Sequence, residues 1–166
     1  MTASVPLRLW DQPRWELLAV TDAQRFFENV GSVALGGTTL FLEGTSQSLA
    51  VRQSLEQLRE PGPYLPAMQT MWPRPEQWRL PFTSAVLEEL ARLAAANAEP
   101  ELADHLFIYA GDAPLVEWPD AFAADAPIHI TATVAEELAR ELARRFGGSV
   151  RWIDGAVQQR DEADER

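Results

Sequence analysis

The chain has no cysteine and no lysine. Without cysteine there is no disulfide, no thiolate nucleophile and no sulfur-ligated zinc. Without lysine there is no Schiff base, no P-loop lysine and no kinase-type catalytic lysine. Histidine is nearly as scarce. His105 and His129 are the only two, so one chain cannot build a three-histidine zinc site. No glycine pattern matches a dinucleotide fingerprint, and GTSQS is not a G-x-S-x-G elbow. No stretch reaches the roughly 18 consecutive apolar residues of a membrane span, and MTASVPLRLWDQP lacks a basic region followed by a long apolar run. The expectation is a soluble, cytoplasmic protein.

Positive charge is also in deficit. All 14 basic residues are arginine, against 25 acidic ones, for a formal net charge of -11. Such a surface repels phosphate backbones and anionic lipid, which argues against nucleic acid and membrane as partners. It attracts a basic protein and raises the rate of encounter with it.

At 166 residues, 46% of them hydrophobic, the chain suits one domain with a sizeable core. We assign residues 1–154 to that domain and 155–166 to a polar acidic tail. The centre of the pattern is Thr38–Leu58. TTLFLEG reads as a buried strand, Thr45 and Ser46 can cap a helix, and Leu49, Val51, Leu55 and Leu58 give that helix an apolar side. Further helices follow capping signals at Thr21–Gln24, at Thr83-Ser84 and at Thr133–Glu136. Strands are expected over residues 6–20, as a hairpin around Pro13, and at 105–110, 127–133 and 149–154, with a short one near Trp118. Strands alternating with helices predict an α/β fold. The expected form is a single-domain sandwich of two or three layers, with a mostly parallel or mixed sheet of about five strands.

Residues 61–82 interrupt this pattern. Six prolines are interleaved with Tyr64, Met68, Met71, Trp72, Trp78 and Phe82. Proline argues against long regular structure, and the aromatics argue against a solvated linker. The stretch is expected to be a long loop, acting either as a lid on the core or as a rigid contact surface. Tyr64, Met71, Trp72 and Trp78 are its candidate partner-binding residues, with Trp72 and Trp78 partly exposed.

Three predicted strands end in a carboxylate beside glycine: Glu43, Asp112 and Asp154. On parallel neighbours these would converge at one edge, as ligands for Mg2+ or Mn2+ in a hydrolase or phosphotransfer enzyme. Acidic residues and glycine are also common wherever strands turn. The reading favoured by the sequence is therefore a non-catalytic protein-interaction domain. It would need no cofactor, would act as an inhibitor, immunity-like or accessory protein, and is compatible with a homo-oligomer. The metal-dependent enzyme is the alternative.

Overall fold

The computed structural model describes residues 9–33, 37–66, 74–97 and 101–155. Seven strands form one sheet: β1 (Arg14–Leu18), β2 (Thr38–Gly44), β3 (Glu76–Pro81), β4 (His105–Ala110), β5 (Ala113–Trp118), β6 (Ile128–Thr131) and β7 (Ser149–Ile153). Four helices accompany them: α1 (Ala23–Asn29), α2 (Leu49–Leu58), α3 (Ser84–Ala96) and α4 (Glu136–Phe146). The strand order is β3-β2-β4-β5-β6-β1-β7, and every neighbouring pair is antiparallel. This overturns the expected mostly parallel sheet of about five strands.

The cause lies in how the helical crossovers are filled. β3 and β4 run in the same direction with α3 between them in sequence, as in a parallel unit, but β2 lies between them in the sheet. β6, α4 and β7 repeat the arrangement around β1. Each is a split β-α-β unit. Helix–strand alternation is a local signal, whereas the inserted strand is a long-range one.

One strand emerged from a stretch read as irregular, and the short strand expected near Trp118 is longer, Ala113–Trp118. β3 lies inside the proline-rich stretch. There Trp78 and Leu80 face inward while Gln77 is exposed and Arg79 half-buried, and Pro81 ends a strand at the sheet edge, where proline is tolerated. β5 occupies the stretch after Asp112, across a turn at Gly111, whose φ of +60° favours glycine. In the opposite sense, Leu9–Asp11 is a 3-10 turn rather than a strand.

The caps are partly displaced. Thr83 caps α3 through Val86 N–H as expected, but Asp22 caps α1 and Ser48 caps α2. Thr45 instead donates its hydroxyl to Asp104 Oδ2 at 2.7 Å. The Thr133–Glu136 box does not form. A turn closed by Val134 N–H and Thr131 O delays α4, whose N-cap is Ala135 with no side-chain bond.

The layers are two. Alternate strand residues, among them Leu17, Leu40, Leu42, Leu80, Leu106, Ile108, Val116, Trp118 and Ile130, pack with residues of all four helices in one core. The opposite face carries no helix among the described residues. A small cluster of Phe41, Phe107 and Tyr109 lies there, covered by Tyr64 and Leu65. None of the described helices is long and apolar enough to cross a membrane.

Trp118 sits at the centre of the helix-side core. It is fully buried between Phe26 (ring centroids 4.9 Å apart) and Phe122 (4.6 Å), and its indole N–H reaches Ala126 O. Trp118→Ala is expected to cost about 3–5 kcal/mol, measured as a lower urea midpoint with an unchanged slope.

Candidate functional site

Strand periodicity places one residue from every strand in a straight row across the helix-free face. The row reads Arg79, Phe41, Phe107, Glu117, His129, Glu16 and Arg151. Its β3–β4 end is aromatic and its β5–β7 end is charged. Glu117, His129 and Glu16 are all buried, and so is Arg14, which lies two residues before Glu16 on the same side of β1.

Arg14 organises the charged end. Its Nε donates to His129 Nδ1 (2.9 Å) and its Nη2 to Glu16 Oε2 (3.2 Å), so one edge of the guanidinium spans both groups. Its Nη1 donates to Trp10 O (2.8 Å) and Gln12 O (3.1 Å), which fixes the Leu9–Asp11 turn against the sheet. Leu9 N–H completes the attachment by donating to Glu117 Oε1 at 3.0 Å. On the other flank Arg151 donates to Glu16 Oε1 from Nε (3.0 Å) and Nη2 (2.7 Å). Because Nδ1 of His129 accepts from Arg14, its 3.1 Å approach to Glu16 Oε2 is not an ion pair. His129 is neutral. Burial is the main cause, with the positive charges of Arg14 and Arg151 adding to it, and its pKa falls to about 4 despite the pull of Glu16. Burial opposes the charge on Glu16, but the Arg151 hydrogen bond and the two arginine charges outweigh it and hold the carboxyl low.

A second polar cluster lies where β2 ends and β4 begins. Glu43 is fully buried. Its Oε2 accepts from the Tyr64 hydroxyl at 2.7 Å, and its Oε1 has no hydrogen-bond partner among the described residues. His105 Nδ1 accepts from Asp120 N–H (2.9 Å), so Nε2 carries the proton and points at Glu43 Oε1 from 3.9 Å, beyond hydrogen-bonding range. Burial raises the Glu43 pKa against the opposing bond from Tyr64. Burial, followed by the charge of Glu43, also pushes the Tyr64 hydroxyl up. The cluster can hold a proton, but its carboxyl has no exposed surface.

The carboxylates proposed from sequence are not brought together. Glu43 pairs with His105 at one end of the sheet, whereas Asp112 follows Ala110, which pairs with Thr38 at the other end. Asp154 follows Ile153 on the edge strand β7, at the same end as Asp112 but with β5, β6 and β1 between them. That is four strand spacings, or about 19 Å. Among the described residues no three His, Asp or Glu side chains group as metal ligands.

The aromatic candidates separate too. Trp78 is only 4% exposed, and its indole N–H donates to Gln47 Oε1 (2.8 Å), so the expected partial exposure is corrected to burial. Tyr64 is half-buried over Phe41 with its hydroxyl on Glu43. Met71 and Trp72 lie outside the described residues. Among the described residues the exposed large apolar side chains are Trp10, Leu49 and Trp152.

Sequence reasoning missed the charged row. Its signal was the polar residue opposite each apolar one in RWELL, LVEW and IHIT, which reads equally well as a solvated face.

One apolar cleft, of about 630 Å3, runs between α1 and α3. Phe27, Leu87 and Ala91 form its floor, and Glu28, Glu88 and Arg92 stand along its sides. Arg92 is neutralised by Glu89 (2.5 Å), whereas Glu28 accepts from the neutral Gln24. Among the described residues neither Glu28 nor Glu88 pairs with an arginine. No family model matches the chain, and no curated protein or solved structure is significantly similar to it.

Two pH effects follow, with opposite signs. A neutral His129 in the fold becomes charged on unfolding below the ordinary value of 6.5. Stability is therefore fully present above that value and lost as pH falls towards about 4, by on the order of 3 kcal/mol. His129→Gln should flatten this limb of a stability–pH profile. Glu43 has a raised pKa, so its contribution is present below the ordinary carboxyl value of 4.5 and lost as pH rises through the folded value. Glu43→Gln is expected to raise the melting temperature at pH 8 and to change it little at pH 4, read by calorimetry.

Proposed function

We propose that this chain is a non-catalytic protein-interaction domain whose partner is basic. The observation that carries this reading is the α1–α3 cleft, with an apolar floor and two carboxylates that no arginine among the described residues neutralises. Apolar floor and charged rim is the usual anatomy of a helix-in-groove contact. A basic amphipathic helix would lay its apolar side on Phe27, Leu87 and Ala91 and set arginine or lysine against Glu28 and Glu88. The net charge of -11 adds long-range attraction for such a partner.

The absence of a catalytic reading rests on placement. Glu43 has a raised pKa and lies beside His105, yet its carboxyl is sealed from solvent. Glu16 and His129 are committed to Arg14. The metal-enzyme alternative required Glu43, Asp112 and Asp154 at one edge; Glu43 lies at the opposite end of the sheet from Asp112 and Asp154, which are themselves four strand spacings apart.

The test is affinity capture from the native host, comparing the wild-type chain with Glu28→Lys plus Glu88→Lys. Both side chains are exposed, so the fold should be unaffected. The expected result is capture of a basic protein that elutes with salt and is reduced about tenfold or more by the double reversal. Equal recovery by both would remove the cleft from the interaction.

A further inference from the structure

The two edges of the sheet are treated differently. Along the outer side of β3, Glu60 N–H donates to Arg79 O (2.9 Å) and Arg59 Nη2 donates to Gln77 O (3.3 Å), so the preceding segment satisfies that edge. Pro81 ends it. β7 has no such cover among the described residues: it pairs with β1 and with no other strand. An open edge presents a row of unpaired backbone donors and acceptors, and proteins usually guard it with charge, proline or a bulge.

β7 has one charge, Arg151, which is about half exposed and lies on the helix-free face. Both its Nε and its Nη2 donate to Glu16 Oε1. Beside it Trp152 is 46% exposed, held by an edge-on contact with Trp15 (ring centroids 4.7 Å apart) on the helix side of the sheet. Ile153 follows, half-buried. The edge is therefore short, and its one cation is already paired with Glu16 beside the apolar Trp152 and Ile153.

We propose that β7 pairs antiparallel with β7 of a second copy about a two-fold axis, joining the two sheets into one. Self-pairing needs a strand that is complementary to itself. With Trp152 on the axis, its indole faces its own counterpart and Arg151 faces Ile153 of the second copy, so no like charges are opposed. With Arg151 on the axis, two guanidiniums would stand directly opposite, which is destabilising. The first register is the one the side chains select. This contact is independent of the α1–α3 cleft and responds to salt in the opposite sense. Two chains of net charge -11 repel, so salt strengthens their association, whereas it weakens the hold of a basic partner.

Sedimentation or light scattering of the full chain, from micromolar to near-millimolar concentration and at low and high salt, tests the proposal. The expected result is a mass approaching twice that of the monomer, reached at lower concentration when salt is raised. Trp152→Lys and, separately, Ile153→Lys should each weaken association about tenfold or more. Ile153→Lys leaves the Trp15–Trp152 contact in place and so separates loss of the edge from loss of the fold. The cysteine-free chain also permits a test of register. Directly opposed residues of antiparallel strands lie within disulfide reach, so Trp152→Cys should oxidise to a covalent dimer far faster than Ala95→Cys on α3. A chain that stays monomeric at high concentration and high salt, a dimer indifferent to both lysine variants, or equal oxidation at the two positions would overturn the proposal.

Discussion

All the described helices lie on one side of the sheet, and much else follows from that. On the helix side, closure is a matter of apolar area: alternate residues of the strands meet α1 to α4 and exclude water. The opposite face has no such layer among the described residues, and yet Phe41, Phe107, Glu117, His129 and Glu16 are buried on it. Two irregular segments share the task. Tyr64 and Leu65 lie over the aromatic end, and the Leu9–Asp11 turn is tied down at the charged end. Arg14 makes the second attachment work, because a buried guanidinium must direct its N–H groups to acceptors, and here these are His129, Glu16 and two turn carbonyls. Arg14 and Arg151 both act on the ionised Glu16, with a neutral histidine beside them. Removing one member would strand another, which is far costlier than the net worth of the network. The row also defends the pairing register. A slip of one residue in β1 or β5 would drive a carboxylate into the apolar core.

The local features of the fold were legible in the sequence, while the pairing was not. TTLFLEG and HLFIYA announced buried strands by composition, and α3 and Gly147 obeyed their cap and stop signals. Helix–strand alternation suggested parallel neighbours because the commonest crossover joins adjacent strands. Nothing local in β1 or β2 marks it as the strand inserted within such a crossover. The prolines around EQWRLP concealed a strand whose period-two pattern was present all along. Trp78 departs from its expected partial exposure for the same reason. Trp78 sits among prolines but falls on the inward phase of β3, whereas Trp152 sits in a clean strand that has no neighbour on its outer side among the described residues. Of the candidate site, individual residues were legible and their convergence was not. Glu43 was named in the sequence as a metal-ligand candidate, whereas its neighbours in the fold, Tyr64 and His105, come from a loop and from the adjacent antiparallel strand.

The two buried acidic clusters differ in a way that bears on purpose. Glu16 is held ionised by two arginines and contributes to stability at neutral pH. Glu43 is held by neutral donors, the Tyr64 hydroxyl and the Gln77 side chain, its Oε1 has no hydrogen-bond partner among the described residues, and burial works against its charge. A glutamine there could keep the Tyr64 hydrogen bond without the ionisation penalty. A group that weakens the fold at neutral pH is a candidate for a role other than holding the fold together. Its position fits that view, since it links the segment over the helix-free face, through Tyr64, to the β2–β4 end of the sheet.

Net charge alone is a poor guide to where this acidic protein can be approached. On α4 two of the three carboxylates are matched by arginines one turn away, Glu136 with Arg140 and Glu141 with Arg144 and Arg145. On β7 the cation is cancelled by Glu16 from beneath. The excess negative charge is therefore felt at a distance by any partner, but at close range it is concentrated where carboxylates stand unmatched, as at Glu28 and Glu88. A basic ligand is drawn in by the whole molecule and retained only at such a place. A second copy is repelled by the whole molecule and can be retained only where the surface is locally neutral and apolar. Those two conditions exclude each other, so the two surfaces need not compete. The same chain can carry both contacts on opposite structural elements, a helix pair for one and a strand edge for the other.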